Sequence, residues 1–190
     1  MPSRPRSKGE HMSEADGFNI GEPAPGLDLP DTSGQPRSLP GAGEAPATVV
    51  VWTCNHCPYA LGWHDRLVQV AHDYGDRGVR VLAVNSNDPV RYPADAPDAM
   101  RERVEREAWP FPYLWDETQD AARRWGAQVT PDVFVLDGDG RLRYRGAPDA
   151  DHQDPALAAA WLRGALDAVL SGGEPEPAET KPVGCSIKWR

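Results

Sequence analysis

A run of β-branched residues, Val49-Val50-Val51, ends abruptly in Trp52-Thr53-Cys54-Asn55-His56-Cys57-Pro58, and few folds accommodate that junction. A short apolar run bounded by turn residues reads as a strand buried inside a parallel sheet. Two cysteines separated by two residues, where such a strand gives way to a helix, read as a dithiol redox site. The reason is geometric. A disulfide needs Cα atoms roughly 4.4–6.8 Å apart, and this spacing at a helix start can meet that limit.

The two sulfurs are expected to differ. Cys54 would lie near the helix N-terminal amides, which stabilise a thiolate. His56, between the cysteines, adds a hydrogen bond or, when protonated, a positive charge. Cys54 is therefore expected to be the low-pKa, solvent-reachable thiol, and Cys57, one turn further in, the shielded internal attacker. Two other readings compete with redox chemistry. Paired cysteines can be apolar filler, although Asn and His between them argue against it. They can also be half of a zinc site, which ordinarily takes four ligands. Cys185 is the remaining cysteine and no His-x₃₋₅-His pair exists, but His64 leaves a Cys₂His cluster open.

The charge balance excludes one class of partner. Acidic residues (29) outnumber basic ones (20), a net charge of −9, which argues against nucleic acid. No apolar run approaches the ~18 residues of a membrane span. The basic start, Met1 to Lys8, has no apolar stretch after it, so no signal peptide is expected, and Met12 is an alternative start. Three cysteines then read as working thiols in a reducing cytoplasm.

Residues 1–17 are polar and rich in Gly, Ser and Pro, and should be disordered. A domain over 18–171 follows, with a Pro/Glu-rich linker and cysteine-bearing tail over 172–190. Gly21 to Asp31 reads as a short edge strand before a Thr32-Ser33-Gly34 turn. Trp63, Leu67, Val70 and Tyr74 recur at helical spacing, and Val79 to Asn85 is the next strand, completing a βαβ unit. A charged helix from Asp98 to about Ala108 presents Arg101, Glu102, Arg103, Glu105, Arg106 and Glu107 as a solvated face. A helix from about Glu117 to Trp125 is capped by Gly126. Val133–Asp137 and Leu142–Arg145 form a hairpin through Asp139-Gly140, and an Ala/Leu-rich helix over Pro155–Leu170 closes the domain. The sum is α/β: a central mixed β-sheet flanked by helices.

This order, with Gly21-Glu22-Pro23-Ala24-Pro25, Cys54-Asn55-His56-Cys57-Pro58-Tyr59, Asn85-Ser86-Asn87-Asp88, Phe111-Pro112-Tyr113-Leu114, Thr130-Pro131-Asp132 and Gly184-Cys185-Ser186-Ile187-Lys188-Trp189, resembles the thioredoxin fold. More narrowly it is similar to the peroxiredoxin-like branch of the AhpC/TSA redoxin superfamily. The resemblance implies a cis peptide before Pro131, facing the cysteine pair, with the backbone at Thr130 pairing with an incoming substrate strand. It also implies a protein or small-molecule disulfide or peroxide as substrate and a reducing thiol as donor, with no cofactor. Two departures stand out. The Pro-x-x-x-Thr-x-x-Cys pattern of peroxiredoxins is missing, since Thr53 directly precedes Cys54. The buried carboxylate that accepts a proton in thioredoxins has no counterpart in the Val run.

Three functions follow from these residues. The leading one is thiol–disulfide exchange by Cys54 and Cys57; the others are a thiol peroxidase and a non-catalytic metal-binding or redox-sensing module. The tail adds a candidate. Ser186-Ile187-Lys188-Trp189 alternates polar and apolar residues like a strand laid on a surface. The linker, extended at ~3.1 Å per residue, is long enough to cross a small domain. Cys185 is therefore expected to reach the Cys54–Cys57 site as a resolving or relay thiol.

Overall fold

The Val-rich run forms the middle strand of the sheet. A computed structural model describes residues 17–190, so the tail expected over 1–17 falls, except for Gly17, outside the described residues. A small hairpin of β1 (Asp28–Pro30) and β2 (Pro36–Ser38) leads to β3 (Ala47–Trp52), every residue of which is buried. Then come α1 (Pro58–Gly75), β4 (Arg80–Asn85), α2 (Pro97–Glu107), β5 (Tyr113–Trp115), α3 (Asp120–Trp125) and the two-residue β6 (Val129–Thr130). The chain continues through β7 (Asp132–Asp137), β8 (Leu142–Gly146), α4 (Ala160–Leu170) and a last short strand, β9 (Cys185–Ser186). Among the described residues no helix is long and apolar enough to cross a membrane.

Five strands make the central sheet in the order β5-β4-β3-β7-β8. β3 runs parallel to β4, and β4 to β5, whereas β7 is antiparallel to both β3 and β8. This is the mixed α/β sheet expected from the sequence. Side chains on successive strand positions point to opposite faces, and β3 sorts its residues accordingly. Val49 and Val51 join Leu67, Val70 and Tyr74 of α1 and Leu162 and Leu166 of α4 on one face. Val50 and Trp52 join Leu82, Leu114, Trp125, Phe134 and the tail's Ile187 on the other. Each fully buried Leu or Val side chain contributes about 1.5–3 kcal/mol of transfer free energy, so both faces of β3 are fixed.

Three expectations change. The closing helix does not run unbroken from Pro155. Pro155–Leu157 is one 3₁₀ turn, Ala158 and Ala159 adopt left-handed backbone (φ 52° and 57°), and α4 starts at Ala160. The cause is buried Asp149, whose carboxylate accepts from the Ala159 amide at 2.8 Å as well as from Trp63 Nε1 and Arg66 Nη1. The face of α2 is not wholly solvated, because Arg103 is only 5% exposed. The 172–182 segment is not a free spacer either. Thr180 N–H donates to Arg145 O, and the Thr180 hydroxyl is shared with Tyr144 and the Ala147 amide. Gly146 makes this approach feasible, since a Cβ there would lie 2.0 Å from Thr180 Oγ1.

Candidate active site

Leaving β3, the chain turns through Thr53–His56 and enters α1 at Pro58, with Cys57 as its N-cap. Proline suits the first helical position because its missing N–H would be unpaired there anyway. The consequence is that Cys57, not Cys54, stands at the helix mouth. Its side chain packs with Cys54, Ala60 and Cys185. Its pKa is pulled down to about 4, chiefly by the Cys54 hydrogen bond, against the opposing effect of burial. Cys54 is driven the other way by donating that bond, by burial, and by the facing carboxylate of Asp95. Both residues are 0% exposed. The expectation of a solvent-reachable, low-pKa Cys54 is thus reversed. The helix N-terminus, with its partial positive charge, serves the second cysteine.

Thr130 and Pro131 lie against this pair. Cys54 Sγ is 3.3 Å from Thr130 Oγ1, and Cys57 Sγ is 3.3 Å from the Thr130 carbonyl oxygen, to which the thiol donates when protonated. The Thr130–Pro131 peptide is cis.

The second wall of the site was not foreseen. Asp95, fully buried in a 3₁₀ turn after β4, accepts from His56 Nδ1 (2.5 Å), the Asn55 amide (2.6 Å), Asn85 Nδ2 (3.1 Å) and Asn87 Nδ2 (3.0 Å). His56 also stacks on Tyr92, with ring centroids 5.1 Å apart. This carboxylate comes from the loop between β4 and α2, where the two asparagines, which need a buried acceptor, were the available signal. Arg103 is the other omission. Its Nη1 donates to the Cys54 carbonyl and to Asn55 Oδ1, each at 3.0 Å.

Cys54 Sγ, a ring nitrogen of His56 and an oxygen of Asp95 lie within 4.8 Å of one another, a donor set a cation could use. Asp95 already satisfies four donors, however, and His56 is bonded to it directly. A cation would have to displace those bonds, so the arrangement fits a hydrogen-bonded pair better than a ligand set. His64 does not join the cysteines. It lies 3.3 Å from Glu107 Oε2, its pKa pushed down to about 4 by burial and by the charge of Arg103.

The tail completes the site. β9 pairs antiparallel with β6, setting Cys185 opposite Thr130 and Ser186 opposite Val129. Cys185 packs on the Cys54–Cys57 cluster, its own thiol pushed up to about 11 by burial and by Cys57. Beyond it, Ile187 N–H donates to Gln128 O (3.1 Å), Lys188 N–H to Asn87 Oδ1 (2.8 Å), and Asp88 N–H to Lys188 O (2.8 Å). Trp189 lies beneath Arg123, 5.0 Å from its guanidinium.

A model of the AhpC/TSA family matches residues 20–145. The chain belongs to the AhpC/TSA family. A solved structure of an uncharacterized conserved protein from Geobacillus kaustophilus is 37% identical, covers 92% of this chain and 94% of its own, and superposes with a TM-score of 0.86. The thiol:disulfide interchange protein DsbE of Allochromatium vinosum is 28% identical over 138 residues, 70% of each chain. Solved neighbours of lower identity share the thioredoxin-like fold. Members of this AhpC/TSA group are thiol oxidoreductases or peroxidases, which makes the present chain a redox enzyme in the general sense. One expectation is overturned here. The cytoplasmic location read from the cysteine count and the chain start does not stand, because the similar proteins are the DsbE interchange protein named above and, among the solved structures, a secreted disulfide oxidoreductase of Mycobacterium tuberculosis. That structure is 19% identical, covers 70% of this chain and 94% of its own, and has a TM-score of 0.54.

Proposed function

We propose that this member of the AhpC/TSA family is a thiol–disulfide oxidoreductase that cycles Cys54 and Cys57 between dithiol and disulfide. The observation that carries this reading is the packing of the two cysteines against each other at the mouth of α1, each sulfur 3.3 Å from Thr130 beside the cis peptide. A thiolate is the attacking form in exchange, and a protonated partner beside it is the next thiol in line. Cys57 takes up the incoming sulfur, and Cys54 displaces it to close the internal disulfide. Cys54 gives up its proton as it attacks, and the His56–Asp95 pair beside it offers a base to receive that proton. Thr130 positions both sulfurs through its hydroxyl and carbonyl, and Pro131 fixes the direction of that carbonyl. The partners on this reading are a disulfide substrate and a reducing thiol donor.

A thiol peroxidase is the second reading, and one observation favours it. Both sulfurs are 0% exposed, and a peroxide needs a smaller opening than a protein disulfide. Its first product would be a sulfenic acid on Cys57, which Cys54 would condense to the same disulfide. The deciding experiment compares reduction of insulin and of glutathione disulfide with consumption of hydrogen peroxide, under one thiol reductant. Faster turnover of the disulfides is expected. Turnover of peroxide alone would replace the first reading by the second.

A further inference from the structure

The three sulfurs are graded in exposure, and the grading runs against direct attack on the buried pair. Cys54 and Cys57 are both sealed from solvent, whereas Cys185 is half-buried and has surface open to water. The tail covers one side of that pair. β9 occupies the free edge of β6, so no other strand can pair there while it is docked. Gly184 brings the tail flush onto the cis peptide, since a Cβ at that position would fall 2.2 Å from Thr130 O. Ile187 is buried in the core cluster with Trp52 and Trp125, and Gln119 holds Lys188 O and the Arg190 amide. A segment anchored in this way is part of the resting fold. The contact it makes is also chemically directed, for Cys185 packs on the Cys54–Cys57 cluster opposite Thr130.

We propose that Cys185 is the entry thiol of a three-cysteine relay, through which the buried Cys54–Cys57 pair exchanges electrons with disulfides outside. The proposal rests on the dithiol reading above. Cys185 attacks one sulfur of a disulfide RSSR. The bond between the two substrate sulfurs breaks, Cys185 becomes Cys185–S–S–R, and the departing RS⁻ takes up the proton that Cys185 gives up. The Cys57 thiolate then attacks Cys185 Sγ and expels the second RS⁻, which is protonated by water according to its own pKa. Cys54 next attacks Cys57, and its proton passes by way of the His56–Asp95 pair to the released Cys185 sulfur. The substrate has gained two electrons, Cys54 and Cys57 have lost them, and Cys185 is again a thiol. The substrate class is accordingly a disulfide able to reach the rim at Cys185 without entering the groove, a category that includes glutathione disulfide.

The test uses the full chain. Cys54→Ser protein, treated with glutathione disulfide and digested without reduction, is expected to yield a peptide joining Cys57 to Cys185. Glutathione left on Cys57 with Cys185 free, or no reaction of either cysteine, would overturn the relay. In a second arm, Cys185→Ser and Cys185→Ala are expected to lose glutathione disulfide reduction by on the order of tenfold relative to wild type, at an unchanged melting temperature. Turnover equal to or faster than wild type in both variants would show the tail to be only a cover. A third measurement needs no substitution: limiting N-ethylmaleimide on the reduced wild type should label Cys185 first, and earlier labelling of Cys54 or Cys57 would sink the idea. A wild type inert to every disulfide would instead remove the dithiol reading, which separates the two failures.

Discussion

Arg103 Nη1 donates to the carbonyl oxygen of Cys54 at 3.0 Å, so a helix with a mostly solvated surface holds the backbone of the thiol turn. The same guanidinium reaches Asn55 Oδ1, is held by Glu107, and lies 5.0 Å over the Trp109 ring. Only a planar fork with several donors can serve these partners together. Arg103→Lys should therefore loosen the turn, lowering stability by about 1.5–3 kcal/mol, as loss of a charge-assisted hydrogen bond does. It should also speed alkylation of Cys54. Denaturant melts and timed labelling check both; a Lys variant equal to wild type in each would place Arg103 outside the site.

Cys57 should titrate near pH 4, followed as thiolate absorbance in the ultraviolet. The step is expected to vanish in Cys57→Ser and to move up in Cys54→Ala, which removes its principal donor. The sign of the stability effect follows. The folded value lies below the unfolded value of 9.0, so the thiolate's contribution is complete above the unfolded value and is lost as pH falls through the folded one. A first thiol step assigned to Cys54 would contradict the arrangement at the helix mouth.

Gly184→Ala places a methyl group against the Thr130 carbonyl. The tail should lift from β6, and Cys54 and Cys57 should become alkylated on the order of tenfold faster, in the manner of a local opening worth about 1.4 kcal/mol. The core is expected to remain intact by circular dichroism. Labelling at the wild-type rate would mean that Gly184 is not what sets the approach of the tail.

His64 should make the fold acid-sensitive. Its folded pKa of about 4 lies below the ordinary 6.5, because burial and Arg103 oppose its charge more than Glu107 and Asp65 favour it. Between those values the unfolded chain binds the extra proton, so stability falls as pH drops from about 6.5 to about 4. The effect is on the order of 3 kcal/mol at 1.36 kcal/mol per unit. His64→Gln should remove it: wild type should lose that much relative to the variant between pH 7 and pH 4 in urea melts. A constant difference would exclude the residue as the cause.

Much of the fold was written locally. The Val run, the α1 stripe and the Asp-Gly hairpin each reflect a period or a turn preference confined to a few neighbours. The break before α4 was not, because Asp149 reaches it through tertiary contacts with Ala159, Trp63 and Arg66. The site divides in the same way. Cys54, Cys57, Thr130, Pro131 and Cys185 could be named from motif and composition. Asp95 and Arg103 could not, because they arrive from a loop and a helix far along the chain. The order of the two cysteines was misjudged although a signal existed. Pro58 marks the first helical position, which makes Cys57 the cap.

Thr180 is fixed on the rim of β8, and Lys181, Pro182, Val183 and Gly184 are all that separate it from Cys185. So short a tether turns an encounter between thiols into an intramolecular one, with an effective concentration of about a millimolar or more. Dissolved thiols below that level compete poorly with Cys185 for the sulfur of Cys57. Mass action therefore insulates the buried pair from dilute bystander thiols, and the setting of that threshold belongs to the anchor at Thr180 as much as to the cysteines.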